Sequence, residues 1–282
     1  MESERRWEEL PLDCLVQIFC KLGMEDLALF APFVCKSWHR ACLDPQCWKN
    51  LDFRELDFSA GSRFVGDFKR LYGVHSFSFS AFMKLCLARS HGSAVELAIP
   101  FILGASLQED LISASIECPR LKVLALPSLL LKDEKKLPEL MRKWKELQIL
   151  ELTWKQFSFP EIMEAIKTNC PNFVGLHLCG FFTAAEAHAI ARCAPKLKIL
   201  VVSASFLRRE DLMVILDGCR ELEVVDVSGC GGFAAANDRE ILNKAAGIKR
   251  FECGGCVEEE DNISYVHNYY DYEDVFMGLG CC

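Results

Sequence analysis

A six-position apolar pattern recurs along most of this chain at intervals of 24 to 27 residues, and that period limits the possible folds more than any other feature. The pattern reads apolar-x-x-apolar-x-apolar. It occurs at Leu121/Leu124/Leu126, Leu147/Leu150/Leu152, Phe173/Leu176/Leu178, Leu197/Leu200/Val202, Leu222/Val225/Val227 and Ile248/Phe251/Cys253. A weaker copy, Ala94/Leu97/Ile99, precedes them at the expected distance. Alternation at the fourth and sixth positions puts both side chains on one face of a strand. The intervening stretches 161–170, 184–193, 208–219 and 237–246 have helical spacing; in the first, Ile162, Ile166 and Cys170 recur every four residues. One strand and one helix per unit, repeated, gives an α/β solenoid with parallel strands inside and helices outside.

Four cysteines share one phase of the repeat. Cys118, Cys170, Cys193 and Cys219 each fall three or four residues before a repeat's first apolar position. Metal ligands about 25 residues apart in a repeat would be stacked along the array and would not converge, so these are read as small apolar residues at the helix-to-strand corner. Cys253-Gly254-Gly255-Cys256 has the spacing of half a zinc site, but its complementary pair is missing. The repeat spacing lies within the range for leucine-rich repeats. The phase Cys118-Pro119-x-Leu121 and Cys170-Pro171-x-Phe173 resembles the cysteine-containing leucine-rich repeats of F-box proteins, over residues 92–253.

Residues 7–48 have a different character. They contain Leu10-Pro11, Leu15, Ile18-Phe19, Leu22, Val34-Cys35-x-x-Trp38 and a terminal Trp48. Pro11 starts a helix, where its missing N–H costs nothing. Leu15, Ile18, Phe19 and Leu22 then form an apolar stripe; a second helix over 27–33 and a third over 35–42 are predicted. About 40 residues cannot bury a full core alone, so a partner should cover the remaining apolar surface. The module resembles an F-box of the short, plant-like kind that precedes leucine-rich repeats. The resemblance implies that Leu10, Pro11, Leu15, Ile18, Phe19, Val34 and Trp38 contact or shape a surface for a Skp-type adaptor, and through it a cullin.

The expected organisation is an F-box over 1–52, an irregular capping repeat over 53–91, leucine-rich repeats over 92–253 and an acidic tail over 254–282. In the middle segment, strand character is predicted at 52–54 and helices at 64–72 and 81–89. The tail holds seven acids, four of the chain's five tyrosines and no Lys or Arg. Its Cys281-Cys282 end resembles the prenylation signal of Rab GTPases but adjoins no polybasic segment, so no stable membrane insertion is expected. Up to residue 253 the chain is close to neutral, which argues against nucleic acid as a partner. No leader-like apolar segment follows the charged first residues, and the sixteen cysteines are read as reduced thiols of the cytoplasm or nucleus.

No phosphate-binding glycine loop, nucleophile elbow or metalloprotease helix is present, and no cofactor is expected. The chain is therefore read as a binding protein. A target protein, whose identity is unknown, would lie on the concave strand face against Val123, Ile149, Glu151, His177, Val201, Asp226 and Arg250. His177, set between Leu176 and Leu178, has no nucleophile placed beside it and is read as a binding residue. The F-box resemblance implies a substrate receptor of a cullin–RING ubiquitin ligase. Two readings compete with it: a repeat scaffold or inhibitor acting outside any ligase, and a small-molecule receptor similar to the auxin-receptor branch.

Overall fold

The computed structural model describes residues 10–258, except 155, 203, 236 and 237. The tail from 259 onward, including Cys281 and Cys282, lies outside the described residues. The chain divides into two compact units, Met1–Leu147 and Gln148–Cys282.

The first unit opens with helix α1, Leu12–Phe19. Pro11 sits at its N-cap with φ −53°, and its carbonyl accepts from the N–H groups of Cys14 (3.0 Å) and Leu15 (3.1 Å). The helix buries Leu15, Val16 and Phe19. The predicted stripe is therefore only partly right. Val16 draws the buried arc to one side, which leaves Ile18 at its edge, 43% exposed, and the helix stops before Leu22. The second predicted helix is instead a wide π-type turn, Asp26–Phe30, followed by a tight 3-10 turn, Ala31–Phe33. Pro32 has no N–H to continue an α-helical ladder. Helix α2 is Lys36–Cys42, and a further 3-10 turn spans Pro45–Trp48. The Asp44 carboxylate caps that turn by accepting from Gln46 N–H at 2.9 Å.

Trp48 is completely buried, and its indole N–H donates to Cys42 O at 2.7 Å. Directly after it comes strand β1, Asn50–Asp52, two residues earlier than predicted. Strands β2, Glu96–Ala98, and β3, Val123–Leu126, continue the sheet. The pairing is parallel, with Leu51, Leu97 and Leu124 in register and all fully buried. Between β1 and β2 run α3, Arg63–Tyr72, and α4, Phe79–Ser90, N-capped by the hydroxyls of Ser62 and Ser78. Gly73, at φ +66°, ends α3 in a left-handed conformation that costs glycine little. Phe53, Phe58, Phe64, Phe68, Phe77 and Phe82 form one aromatic cluster under these helices, mostly edge-to-face with centroids 5 to 6 Å apart. Helices α5, Gln108–Glu117, α6, Leu131–Glu134, and α7, Leu137–Met141, complete the unit.

In the second unit five parallel strands follow chain order: β4 Ile149–Leu152, β5 Gly175–Leu178, β6 Ile199–Val201, β7 Val224–Asp226 and β8 Arg250–Glu252. Helices α8 Phe159–Asn169, α9 Ala184–Cys193, α10 Arg209–Gly218 and α11 Arg239–Ala245 alternate with them. Leu150, Leu176, Leu200 and Val225 occupy equivalent positions and are fully buried. A capping box starts α9: Glu186 accepts from the Thr183 backbone N–H at 2.8 Å. Gly218 is required by packing, since a Cβ there would lie 2.4 Å from the Ala191 Cβ.

The repeat cysteines sit where helix turns to strand. Cys118, Cys170 and Cys219 are the C-caps of α5, α8 and α10, Cys193 ends α9, and all four are buried. Burial pushes the thiol pKa up to about 12 at Cys118, about 11 at Cys170 and about 12 at Cys219. Each stays a neutral thiol, and Cys219 points its Sγ at Ala194 O, 3.4 Å away. These are packing residues.

Candidate functional site: a helical docking face and a strand face

The first candidate surface lies on the N-terminal helices. Pro11 is exposed, Leu10 and Trp38 are half-buried, and Ile18 and Val34 are 43% and 60% exposed. Leu15 and Phe19 lie in the core, so they can act on this surface only by supporting it from beneath. Phe19 meets the Trp38 ring edge-on at 5.1 Å, fixing the indole whose buried N–H has no hydrogen-bond partner among the described residues. Leu12, Phe33 and Leu43 are also exposed, at 40%, 48% and 43%, and were not singled out from the sequence. With Phe30, 37% exposed, these make six exposed large apolar side chains in a small module, which cost solubility unless a partner covers them.

This module is fixed to the repeat that follows it. Tyr72 Oη donates to Ala28 O at 2.8 Å, and Phe33 packs edge-on against the Tyr72 ring. Ser93 Oγ donates to Pro45 O at 3.0 Å, and Val95 N–H to Lys49 O at 2.8 Å. The Arg89 guanidinium lies 4.9 Å from the centroid of the Trp48 ring. A helical docking face and the first repeat therefore form a continuous body.

The second candidate surface is the outward side of the strands. In the first unit Val123 is half-buried there. In the second unit, register lines up Glu151, His177, Val201, Asp226 and Glu252 across five strands. Beside that polar row runs a more apolar one of Ile149, Gly175, Ile199, Val224 and Arg250. All are half-buried except Gly175, which is buried, and Arg250, which is exposed. His177 Nδ1 is 3.2 Å from Glu151 Oε1, and Arg250 Nε donates to Glu252 Oε1 at 2.7 Å. Just before the strands, Glu223 bridges Lys249 at 2.6 Å and Lys198 at 3.1 Å. The Lys249 and Lys198 ammonium groups hold its carboxyl below the usual carboxylate range.

The loops after these strands add a feature that period alone did not reveal. Phe157 is 76% exposed, and Phe181 stacks on Phe206 with centroids 4.4 Å apart. The face thus offers apolar, carboxylate and cationic groups together.

An open cavity of about 680 Å³ lies at the starts of α10 and α11. Its Arg209 pairs with Asp238 and Glu240, and Arg208 with Asp211, so these cations answer internal carboxylates. Among the described residues no group of three or more His, Cys, Asp or Glu could hold a metal ion. Cys256 instead points its Sγ at Val227 O, 3.1 Å away.

A small helical module with an exposed apolar face, fused to parallel strand–helix repeats, defines a modular protein of the F-box and leucine-rich-repeat class. Residues 7–54 match the F-box-like family model. An F-box/LRR-repeat protein of Arabidopsis thaliana is 30% identical over 96% of this chain and 93% of its own length. The Arabidopsis F-box protein SKIP19 is 26% identical over 97% of the chain and 86% of its own, and the F-box protein FBW2 is 28% identical over 80% and 68%. The chain belongs to the F-box/LRR-repeat protein family.

Proposed function

We propose that this protein is the substrate receptor of a cullin–RING ubiquitin ligase, with the helical module docking a Skp-type adaptor and the strand face holding a target protein. The observation that carries this reading is the exposed apolar surface on the module that matches the F-box-like model, formed by Leu12, Ile18, Phe33 and Val34. The receptor performs no bond chemistry of its own. It raises the effective concentration of a target lysine near the ubiquitin carrier. The firm join between the helical module and the first repeat suits that task, because a floppy joint there would dilute the effect. The many neutral, buried thiols suit work in the reducing cytoplasm or nucleus.

The test is direct. Purified full-length protein is mixed with a Skp-type adaptor and run on a sizing column. Co-elution as a one-to-one complex is expected. Separate elution at micromolar concentration contradicts the adaptor role and favours a repeat scaffold acting outside any ligase.

A further inference from the structure

Cys20 and Cys47 are in contact, their Sγ atoms 3.9 Å apart. They come from opposite ends of the helical module: Cys20 closes α1, and Cys47 lies in the Pro45–Trp48 turn. Cys20 is exposed and Cys47 is buried. The protein holds Cys47 in place, with its Sγ 3.6 Å from Ala41 O and 3.9 Å from Val16 O. Burial, with the Cys20 thiol beside it, pushes the Cys47 pKa well above that of a free thiol. Buried beneath the module's surface, Cys47 is shielded from peroxide in solution, which meets Cys20 first. Cys20, in contrast, stands where solutes can reach it. A reachable sulfur with a second sulfur already beside it is what a two-step oxidation requires.

We propose that Cys20 and Cys47 form a reversible oxidation site, converted by hydrogen peroxide into a disulfide that staples the end of α1 to the Pro45–Trp48 turn. In the first step the Cys20 thiolate attacks one peroxide oxygen. The O–O bond breaks, and the departing hydroxide takes up a proton as water, leaving Cys20 as a sulfenic acid. In the second step the Cys47 sulfur attacks the Cys20 sulfur. The S–O bond breaks, and the hydroxyl group leaves with the Cys47 proton as a second water. Two thiols lose two electrons and two protons, and one peroxide becomes two waters. The sulfurs must close to a bond length of about 2.05 Å, a movement of about 2 Å. Cys20 can supply it, because its side chain is exposed and lies past the last residue of α1. The resulting bond ties together both ends of the segment that carries Phe33 and Val34.

The experiment uses reduced full-length protein exposed to a modest excess of hydrogen peroxide, then alkylated, digested and read by mass spectrometry. The expected product is a Cys20–Cys47 linked peptide that dithiothreitol removes and that loses its predominance when the protein is oxidised in urea. Cys47→Ser should leave Cys20 as a sulfenic acid trapped by dimedone, and Cys20→Ser should leave Cys47 reduced. Circular dichroism checks that both variants fold; if either does not, the wild-type peptide map alone decides. Cys20 linked mainly to Cys14 or Cys42, or carried to sulfinic acid while Cys47 stays reduced, overturns the proposal.

Discussion

Tyr72 donates its phenolic hydroxyl to the carbonyl oxygen of Ala28 at 2.8 Å, joining the last residue of α3 to the core of the docking module. The same ring stacks on Phe68 at 4.4 Å and receives the edge of Phe33. One side chain thus connects the exposed apolar surface to the aromatic cluster of the first repeat. Tyr72→Phe keeps the ring and removes only the hydroxyl. A loss of about 1 kcal/mol is expected in urea unfolding, whereas Tyr72→Ala should cost at least about 3 kcal/mol. Equal effects from the two substitutions would mean that the ring contributes nothing to the joint.

Leu200 tests the register of the second unit. It is fully buried in β6 and pairs with Leu176 and Val225 on either side. Leu200→Asp places an unpaired carboxylate in that core and should cost at least about 4 kcal/mol, enough to unfold the unit. Lys198, two residues earlier, is exposed and bonded to Glu223. Lys198→Ala should cost no more than about 0.5 kcal/mol. Similar melting temperatures for the two variants would rule out the register.

Asp110 gives a prediction with a definite sign in pH. It is 2% exposed on α5; Ser80 Oγ donates to its Oδ2 at 2.7 Å, and its Oδ1 has no hydrogen-bond partner among the described residues. Burial, assisted by the Glu109 and Asp133 carboxylates, raises its pKa above the ordinary Asp value. A folded-state pKa above the unfolded one favours folding below the unfolded pKa and loses that advantage as pH rises through the folded value. At pH 7 the native state therefore carries a disfavoured charge. Asp110→Asn should stabilise the protein at pH 7 by about 1 kcal/mol, and the gain should shrink as pH is lowered toward 4. Thermal melts across that range check it. A gain that grows with acid would contradict the assignment.

Period made the repeats legible. Each strand's inner residues recur, and Leu124, Leu150, Leu176, Leu200 and Val225 all lie in the core as that recurrence predicts. Alternation also located the outward row that holds Glu151 and His177. What depends on contacts between distant residues was not legible. No local pattern says that Phe53 will meet Phe82, or that Arg89 will sit over Trp48. The 27–33 helix failed because apolar content was weighed above Pro32, whose missing N–H replaces the α-helix with two irregular turns. On the docking face, the F-box resemblance marked Ile18 and Val34 but could not separate them from Leu15 and Phe19. That separation depends on which side of α1 the rest of the module covers.

The same separation supplies the most direct test of the receptor account. Ile18 and Val34 are exposed, so replacing both with Asp should leave the fold intact, and unchanged melting temperature verifies this. Titration calorimetry of a purified Skp-type adaptor into this double variant is the decisive measurement. The account predicts a loss of affinity of at least about 100-fold relative to the wild type, with Lys198→Ala on the repeats as an unaffected control. Wild-type affinity in the Ile18→Asp, Val34→Asp protein would contradict it.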